Sequence, residues 1–229
     1  MTRTPDLAVA MAVAMAVTLA GCGSTGTAGS PAASTGTVPA SAATPRTGPT
    51  APASTAVPPA AGDVLPVEDP DHSTAQPFPA AGSCHARDVP GGTLPDPICT
   101  PGATDPHVTQ ATLDTTICRA GGYTSSVRPP VSVTSIGKRS ALRAYQDAAP
   151  TNTYELDHLV PLELGGSPNS PHNLWPQPGA GPNPKDKLET ALHDLVCTHR
   201  MTLSNAQTAI ASDWVTTYRQ VLGTAPPTP

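Results

Sequence analysis

The densest group of chemically capable side chains lies in residues 155–177, ELDHLVPLELGGSPNSPHNLWPQ. Asp157 and His158 are adjacent, Asn173 follows in the same stretch, and Asn183 and Asp186 come shortly after it. A carboxylate is a good ligand for hard divalent cations, and an imidazole can accept a proton near neutral pH. Together they suit metal-assisted hydrolysis, in which a cation and a base activate water. An Asp-His pair also occurs in ordinary polar turns, so the surrounding sequence has to decide between the two interpretations.

The elements around these residues follow from their patterning. Residues 154–164 alternate between apolar and polar side chains and then reach a Gly-Gly pair, which is typical of a β-hairpin with its return strand in PNSPHNLWP. Asn183 and Pro184 then provide an N-cap and a first-turn proline for a helix. The predicted order is strand, turn, strand, helix. Because neighbouring side chains of a strand point to opposite faces, Asp157 and His158 can reach one ion only if the strand twists or bulges there.

The segment LDHLVPLELGGSPNSPHNLWPQ resembles the signature of His-Asn-His (HNH) nucleases. Over about residues 97–219 the chain is similar to a group of secreted actinobacterial proteins related to those nucleases. The shared segments are CTPGATDPHVTQATLDTTIC, VRPP, YELDHLVPLELGG, NLWPQ, KDKLE and LVC…AQTAI…DW…Y. The resemblance implies a ββα-metal motif and hydrolysis of phosphodiester bonds.

This resemblance also implies a role for each matching residue. His158 would be the general base, Asp157 a ligand for Mg²⁺ or Mn²⁺, and Asn173 the catalytic-site residue that braces the loop and orients the histidine. The family carries a His or Asn on the helix as a second protein ligand, and here Asn183 stands in that place. Asn183 serves equally well as a helix N-cap, and Asp186 is a further candidate ligand.

Three cations near the motif are candidate phosphate contacts, namely Arg128, Lys185 and Lys187. From Gln76 onward, however, ten Lys and Arg face twelve Asp and Glu, a net charge of −2. Cation contacts dominate affinity for a phosphate backbone, so we expect weak, non-specific cleavage of DNA or RNA. The alternative is a catalytically inactive HNH scaffold that acts as a cell-envelope binding or structural module. A structural calcium site at Asp157 lies between the two.

The N-terminus, MTRTPDLAVAMAVAMAVTLAGC, is typical of an export signal over residues 1–21. Its LAGC ending resembles a bacterial lipobox, which predicts a lipidated Cys22 and a protein anchored at the extracytoplasmic face of the cell membrane. An ordinary secretory signal with a chance cysteine is the alternative, and it predicts a secreted protein. The rest of residues 22–76 is rich in Ala, Thr, Pro and Ser, which predicts a disordered linker.

The remaining cysteines, Cys84, Cys99, Cys118 and Cys197, are an even number in an exported chain, which favours two disulfides. We expect Cys84–Cys99 as a local link and Cys118–Cys197 as a long-range one. Zinc binding is the weaker alternative, because no two cysteines have C-x-x-C spacing.

The predicted fold class is α+β, a small, mostly helical, disulfide-stapled domain over residues 77–222 with a disordered tail at 223–229. Helices are expected over about residues 107–118, 136–148, 184–199 and 205–221. In the last helix an apolar stripe four residues apart predicts core positions: Ala206, Ile210, Trp214 and Tyr218. Nothing in the sequence favours an oligomer, and we expect a monomer.

Overall fold

The computed structural model describes residues 65–68, 71–146 and 149–227 of the chain. The predicted signal peptide, Cys22 and most of the predicted linker lie outside these described residues. Within them, no helix combines the length and the apolar character that crossing a membrane requires. All described residues belong to one compact unit, Pro52–Pro229.

The described residues form a mixed α+β fold, as the sequence predicted. Two antiparallel pairs of strands are present, β1 (Arg87–Val89) with β2 (Gly92–Leu94) and β3 (Tyr154–His158) with β4 (Leu174–Pro178). The α-helices are α1 (Thr124–Val127), α2 (Val131–Ala144), α3 (Pro184–Cys197) and α4 (Leu203–Leu222). Single 3₁₀ turns occupy Leu113–Thr115, Thr151–Thr153 and Leu162–Leu164.

The hairpin and the helix that follows it appear in the predicted order, β3, β4, α3. Strand β3 pairs with β4 so that Asp157 lies opposite Trp175 and His158 opposite Leu174. The strand is shorter than expected and ends at His158, because the chain then turns into a long, internally bonded loop over residues 159–173. Helix α3 begins at Pro184 with Asn183 as its N-cap, as the Asn-Pro pair predicts.

The prediction of a helix over residues 107–118 is wrong, because only the 3₁₀ turn Leu113–Thr115 forms there. Its threonines bond to the backbone instead, since Thr112 Oγ1 accepts from the Thr109 N–H and donates to the His107 carbonyl. Thr116 Oγ1 likewise donates to the Thr112 carbonyl at 2.6 Å. Such bonds offer the backbone an alternative to the helical ladder. Helix α2 also begins earlier than expected, directly after the extended Pro130.

The main core lies where α3 and α4 pack against the loops of the N-terminal half. The predicted stripe on α4 is fully buried in it, together with Leu188, Leu192 and Val196 from α3. A second cluster surrounds Trp175 and the Cys84–Cys99 disulfide. Both expected disulfides are present, and Cys118–Cys197 ties the loop after the first 3₁₀ turn to the end of α3.

Residues 65–68 and 71–76, which we call the N-terminal strap, pack against the loop that connects β3 and β4. Val67 forms a β-bridge with Thr104, which in turn bridges to Gly166. The Glu68 carboxylate contacts His172 Nδ1 at 2.7 Å and accepts a hydrogen bond from Ser170. Ordered contacts therefore begin before residue 77, where the sequence placed the start of the domain. At the other end, Pro226 is buried although it lies in the predicted disordered tail.

Candidate functional site

His158 ends β3 and is almost completely buried. Its Nε2 lies 2.9 Å from the carbonyl oxygen of Pro168. Because a carbonyl can only accept, Nε2 must carry the proton, which leaves the lone pair of the neutral ring on Nδ1. The pKa of His158 is lowered to about 4, mainly by burial and in addition by the positive charges of Arg128 and Lys185, against the opposite effect of the Pro168 hydrogen bond. The ring is therefore neutral, with an unprotonated Nδ1, at physiological pH.

Asn173 holds the loop that places the Pro168 carbonyl. Its Oδ1 accepts from the backbone N–H groups of Val160 (2.9 Å) and Ala103 (3.3 Å). Its Nδ2 donates to the carbonyls of Val160 (2.9 Å) and Ser167 (3.0 Å). The side chain is fully buried and all of its hydrogen-bonding capacity faces the backbone. Asn173, which the sequence grouped with the catalytic residues, thus positions this loop through backbone hydrogen bonds.

Glycine is required where this loop turns back on itself. Gly165 has φ +70°, in the left-handed region that favours glycine. A Cβ on the neighbouring Gly166 would overlap the Val160 carbonyl oxygen and crowd Asn173 Nδ2. The Gly-Gly pair of the sequence therefore serves the tight loop around Asn173 rather than a two-residue hairpin turn.

Lys185 is fully buried and links β3 to α3. Its Nζ donates to Asp157 Oδ1 (3.3 Å), to the His158 carbonyl (2.7 Å) and to Glu189 Oε1 (2.6 Å), and it lies 3.0 Å from Asp157 Oδ2. Burial alone would lower the pKa of Lys185, but the two flanking carboxylates outweigh that effect and raise it. Lys185 was expected to contact phosphate, and that expectation is wrong, because all three of its protons are used inside the protein.

Asp157 is also buried and is held on two sides. Trp175 Nε1 donates to its Oδ2 at 2.8 Å, and the Lys185 ammonium contacts both of its oxygens. Burial raises the pKa of Asp157, and the attraction of Lys185 only partly offsets this. The proposed metal ligand therefore already has two internal partners.

These residues border a polar cavity of about 230 Å³ at the junction of β3 and α3. It is lined by Arg128, Glu155, Leu156, Asp157, His158, Pro161, Leu162, Asp186 and Glu189. Asp157 and His158, although adjacent in β3, both border it, as a shared site requires. Burial raises the pKa values of Glu155 and Glu189, and repulsion among the acids of the cavity raises them further.

Asn183 lies beside the cavity without lining it. Its backbone N–H donates to Asp186 Oδ2 at 2.9 Å, as in a capping box, and its Nδ2 donates to Glu155 Oε2 at 2.6 Å. Asn183 is therefore the helix cap, the alternative to a metal ligand that the sequence left open. Asp186 does line the cavity, as does the exposed Arg128, whereas Lys187 is exposed on α3 and does not.

The acids of the cavity are the right kind of ligand for a cation, but their oxygen atoms are not close enough together to bind one in this conformation. Among the described residues, no hydrogen bond is seen to Glu155 Oε1, Asp186 Oδ1 or Glu189 Oε2. Hard oxygen donors of this kind suit Mg²⁺ or Mn²⁺. Within the same described part of the chain, though, only Cys118, His193 and Cys197 bring three ligand atoms within 4.8 Å of one another. The cavity is thus a candidate cation site that needs side-chain movement to close on an ion.

Sequence reasoning missed Glu155 and Glu189. Glu155 stands two residues before Asp157 on the same strand, and Glu189 stands three after Asp186 on the same helix. Both spacings place side chains on a common face, so a search for acids at these intervals around the Asp-His pair would have found them.

The chain was compared with protein-family models, with curated proteins and with solved structures. None of the three comparisons found a match.

Proposed function

We propose that this chain is an exported, membrane-anchored, HNH-like, metal-dependent nuclease that hydrolyses DNA or RNA with low sequence specificity. The observation that carries the proposal is the hydrogen bond from His158 Nε2 to the Pro168 carbonyl at the edge of an acid-lined cavity. It presents a neutral imidazole with a free lone pair where a water molecule and a cation could meet. The resemblance to HNH nucleases in residues 155–177 points to the same residue.

His158 is placed at the cavity to act as the base that takes a proton from the attacking water, although its pKa of about 4 makes it a weaker base than an ordinary histidine. Asn173 and Pro168 fix its ring through the loop, so the orientation of Nδ1 is set before substrate binds. Asp157 and Lys185 contribute by holding β3 to α3, because the Lys185 ammonium bonds both the Asp157 carboxylate and the His158 carbonyl.

Glu155, Asp186 and Glu189 are the residues that would hold Mg²⁺ or Mn²⁺, with Asp157 as the further ligand that the resemblance implies. When bound, the cation would stabilise the negative charge that develops on the phosphate and the leaving oxygen. Its binding would also relieve the repulsion that raises the pKa values of Glu155 and Glu189. We therefore expect metal binding to weaken as pH falls and these carboxyls become protonated.

Arg128 is the cation placed to meet a phosphate, because it is exposed and lines the cavity. Lys187 is exposed nearby on α3 and can contribute only more distant contacts. A chain with a net charge of −5 has few other means of holding a nucleic acid backbone. Low affinity and low specificity follow.

A second candidate function is favoured by the internal partners of Asp157. The oxygens of Asp157 are occupied by Trp175 and Lys185, and no three acids of the described cavity bring their ligand atoms close together. The described residues therefore also suit a scaffold that has no nuclease activity. Such a protein would be a lipoprotein module that binds or organises the cell envelope.

One experiment separates the two candidates. The oxidised domain is incubated with plasmid DNA and with RNA in Mg²⁺, Mn²⁺ or EDTA, beside His158→Gln and the control His85→Ala, whose exposed histidine lies away from the cavity. The nuclease requires cleavage that EDTA abolishes, that His158→Gln loses by at least about 100-fold and that His85→Ala keeps. Cleavage equal in wild type and His158→Gln would refute the assignment of the base, and no cleavage under any condition would favour the envelope module.

The anchor at Cys22 stays a proposal that rests on the lipobox, because this residue lies outside the described structure. A fatty-acid analogue should label the wild-type protein in the producing cell and should not label Cys22→Ala. An unlabelled wild-type protein would favour the secreted form.

A further inference from the structure

Cys118, His193 and Cys197 form a second cluster of potential ligands, away from the acid-lined cavity. Their ligand atoms all lie within 4.8 Å of one another, and all three residues are partly exposed. His193 and Cys197 stand one helical turn apart on α3, and Cys118 reaches them from the loop after the first 3₁₀ turn. His193 Nε2 lies 3.4 Å from the sulfur of Cys197.

The disulfide and a metal are alternative occupants of this cluster. Metal binding needs thiolates, and the Cys118–Cys197 bond uses both sulfurs. Sulfurs that share a tetrahedral Zn²⁺ at about 2.3 Å lie about 3.8 Å apart. The Cα atoms of the two cysteines are 5.5 Å apart, so rotation of the side chains can provide that separation without a large backbone shift.

We propose that two-electron reduction of the Cys118–Cys197 disulfide converts this end of α3 into a Cys-His-Cys site for Zn²⁺. The reductant is a dithiol. Its thiolate attacks one sulfur, and its second thiol then closes its own disulfide, so that two electrons and two protons pass to Cys118 and Cys197. Zn²⁺ then displaces the two thiol protons, and the fourth position of the tetrahedron is left to water.

His193 is placed to complete the site through a change of tautomer. In the disulfide form its Nε2 lies 3.0 Å from the Ile117 carbonyl, so Nε2 carries the proton. Its Nδ1 faces the exposed carboxylate of Asp194 at 3.7 Å. Moving the proton to Nδ1 pairs it with Asp194 and frees Nε2 for the metal. A carboxylate behind the other ring nitrogen is the usual support of a zinc-bound histidine.

The test measures Zn²⁺ binding to the domain with its disulfides intact and after reduction by dithiothreitol and removal of the reductant. A chelating dye reports Zn²⁺, and Co²⁺ replaces it for the absorption bands of thiolate ligands. Reduced wild-type protein should bind a single Zn²⁺ and show thiolate-to-cobalt bands. His193→Ala should lose at least about tenfold in affinity, since loss of even an indirect support costs that much. His85→Ala, next to the other disulfide, is the matched control and should bind like wild type.

Each result decides for or against the site. Zn²⁺ binding that is equal in the oxidised and reduced proteins and shows no thiolate bands overturns the proposal, because the two cysteines are then not the ligands. Equal binding by reduced wild type and His193→Ala overturns the proposal, as does a reduced chain that binds no Zn²⁺. If reduction unfolds the domain, recovery of its circular dichroism by Zn²⁺ in wild type but not in His193→Ala supports the site. Failure of Zn²⁺ to restore the wild-type fold refutes it.

Discussion

Replacing Lys185 by Met should strongly destabilise the domain, even though Lys is usually a surface residue. The Met side chain can fill much of the same volume but cannot donate to Asp157, Glu189 or the His158 carbonyl, which the ammonium now contacts at 2.6–3.0 Å. Two carboxylates would then share a buried region without a positive charge between them.

The size of the effect follows from burial. Lys185 is fully buried and Asp157 nearly so, with side-chain exposures of 0% and 7%. Removing one partner of a buried ion pair costs about 3–5 kcal/mol, because the other charge is left unpaired. With a urea m-value of about 2 kcal/mol/M, the midpoint of unfolding should fall by about 1.5–2.5 M. Lys187→Met, two residues later and exposed, should stay within about 0.5 kcal/mol of wild type.

The cost should also depend on pH in a direction that identifies its cause. Burial raises the pKa values of Asp157 and Glu189, and removing the ammonium raises them further. The folded variant then binds more protons than its unfolded chain, so stability is regained as pH falls and lost as pH rises through the raised pKa values. The destabilisation measured at pH 7 should therefore shrink towards pH 5, by up to about 1.4 kcal/mol per pH unit for each proton taken up.

The assay is urea unfolding of wild type, Lys185→Met and Lys187→Met at pH 7 and pH 5, with disulfides intact. If Lys185→Met matched Lys187→Met, the buried ion group would not exist in solution. A large cost that stayed the same at both pH values would mean that lost packing, and not unpaired charge, destabilises the variant.

Three further changes probe the loop that holds the histidine. His158 has a pKa of about 4 in the folded protein against 6.5 ordinarily, so as pH falls the unfolded chain takes up a proton before the folded protein does. Acidification from pH 7 to pH 4 should therefore lower the free energy of unfolding by about 3 kcal/mol more in wild type than in His158→Gln, as measured by urea unfolding. Gly166→Ala should prevent recovery of folded protein, because its Cβ would overlap the Val160 carbonyl; a soluble variant with a wild-type melting temperature would contradict this geometry. Asn173→Ala should lose at least about 3 kcal/mol by thermal or urea unfolding, since it leaves buried backbone groups without partners, and a loss below 1 kcal/mol would show that water replaces the amide.

The parts of the site that sequence could predict are those set by short-range rules. The strand-loop-strand-helix order follows from alternation, the glycine pair and Asn183-Pro184, which all act over a few residues. The two disulfides followed from the even number of cysteines left when Cys22 is set aside, and the pairing matched the expected local and long-range links. The apolar stripe of α4 predicted its own burial because helical periodicity needs no knowledge of the partner surface.

The parts that sequence could not predict depend on distant partners. Lys185 has the sequence context of a phosphate contact. Only the fold reveals that its ammonium pairs with the carboxylate of Asp157, 28 positions earlier. The threonine-rich segment 107–118 has helical spacing, but its hydroxyls bond to its own backbone. The N-terminal strap lies in a polar, proline-rich region whose composition predicts disorder, and it is ordered by contacts with residues about 100 positions away.

The N-terminal strap also determines where mechanical load would enter the domain. A pull on the chain before Leu65 would reach the body at the isolated bridge of Val67 and at Glu68, whose carboxylate contacts Ser170 and His172. Those two residues belong to the same loop as Pro168, the carbonyl partner of His158. A single bridge and a few side-chain bonds yield more readily than a full strand ladder. Tension on the chain before Leu65 would therefore be felt first by the loop that orients the histidine.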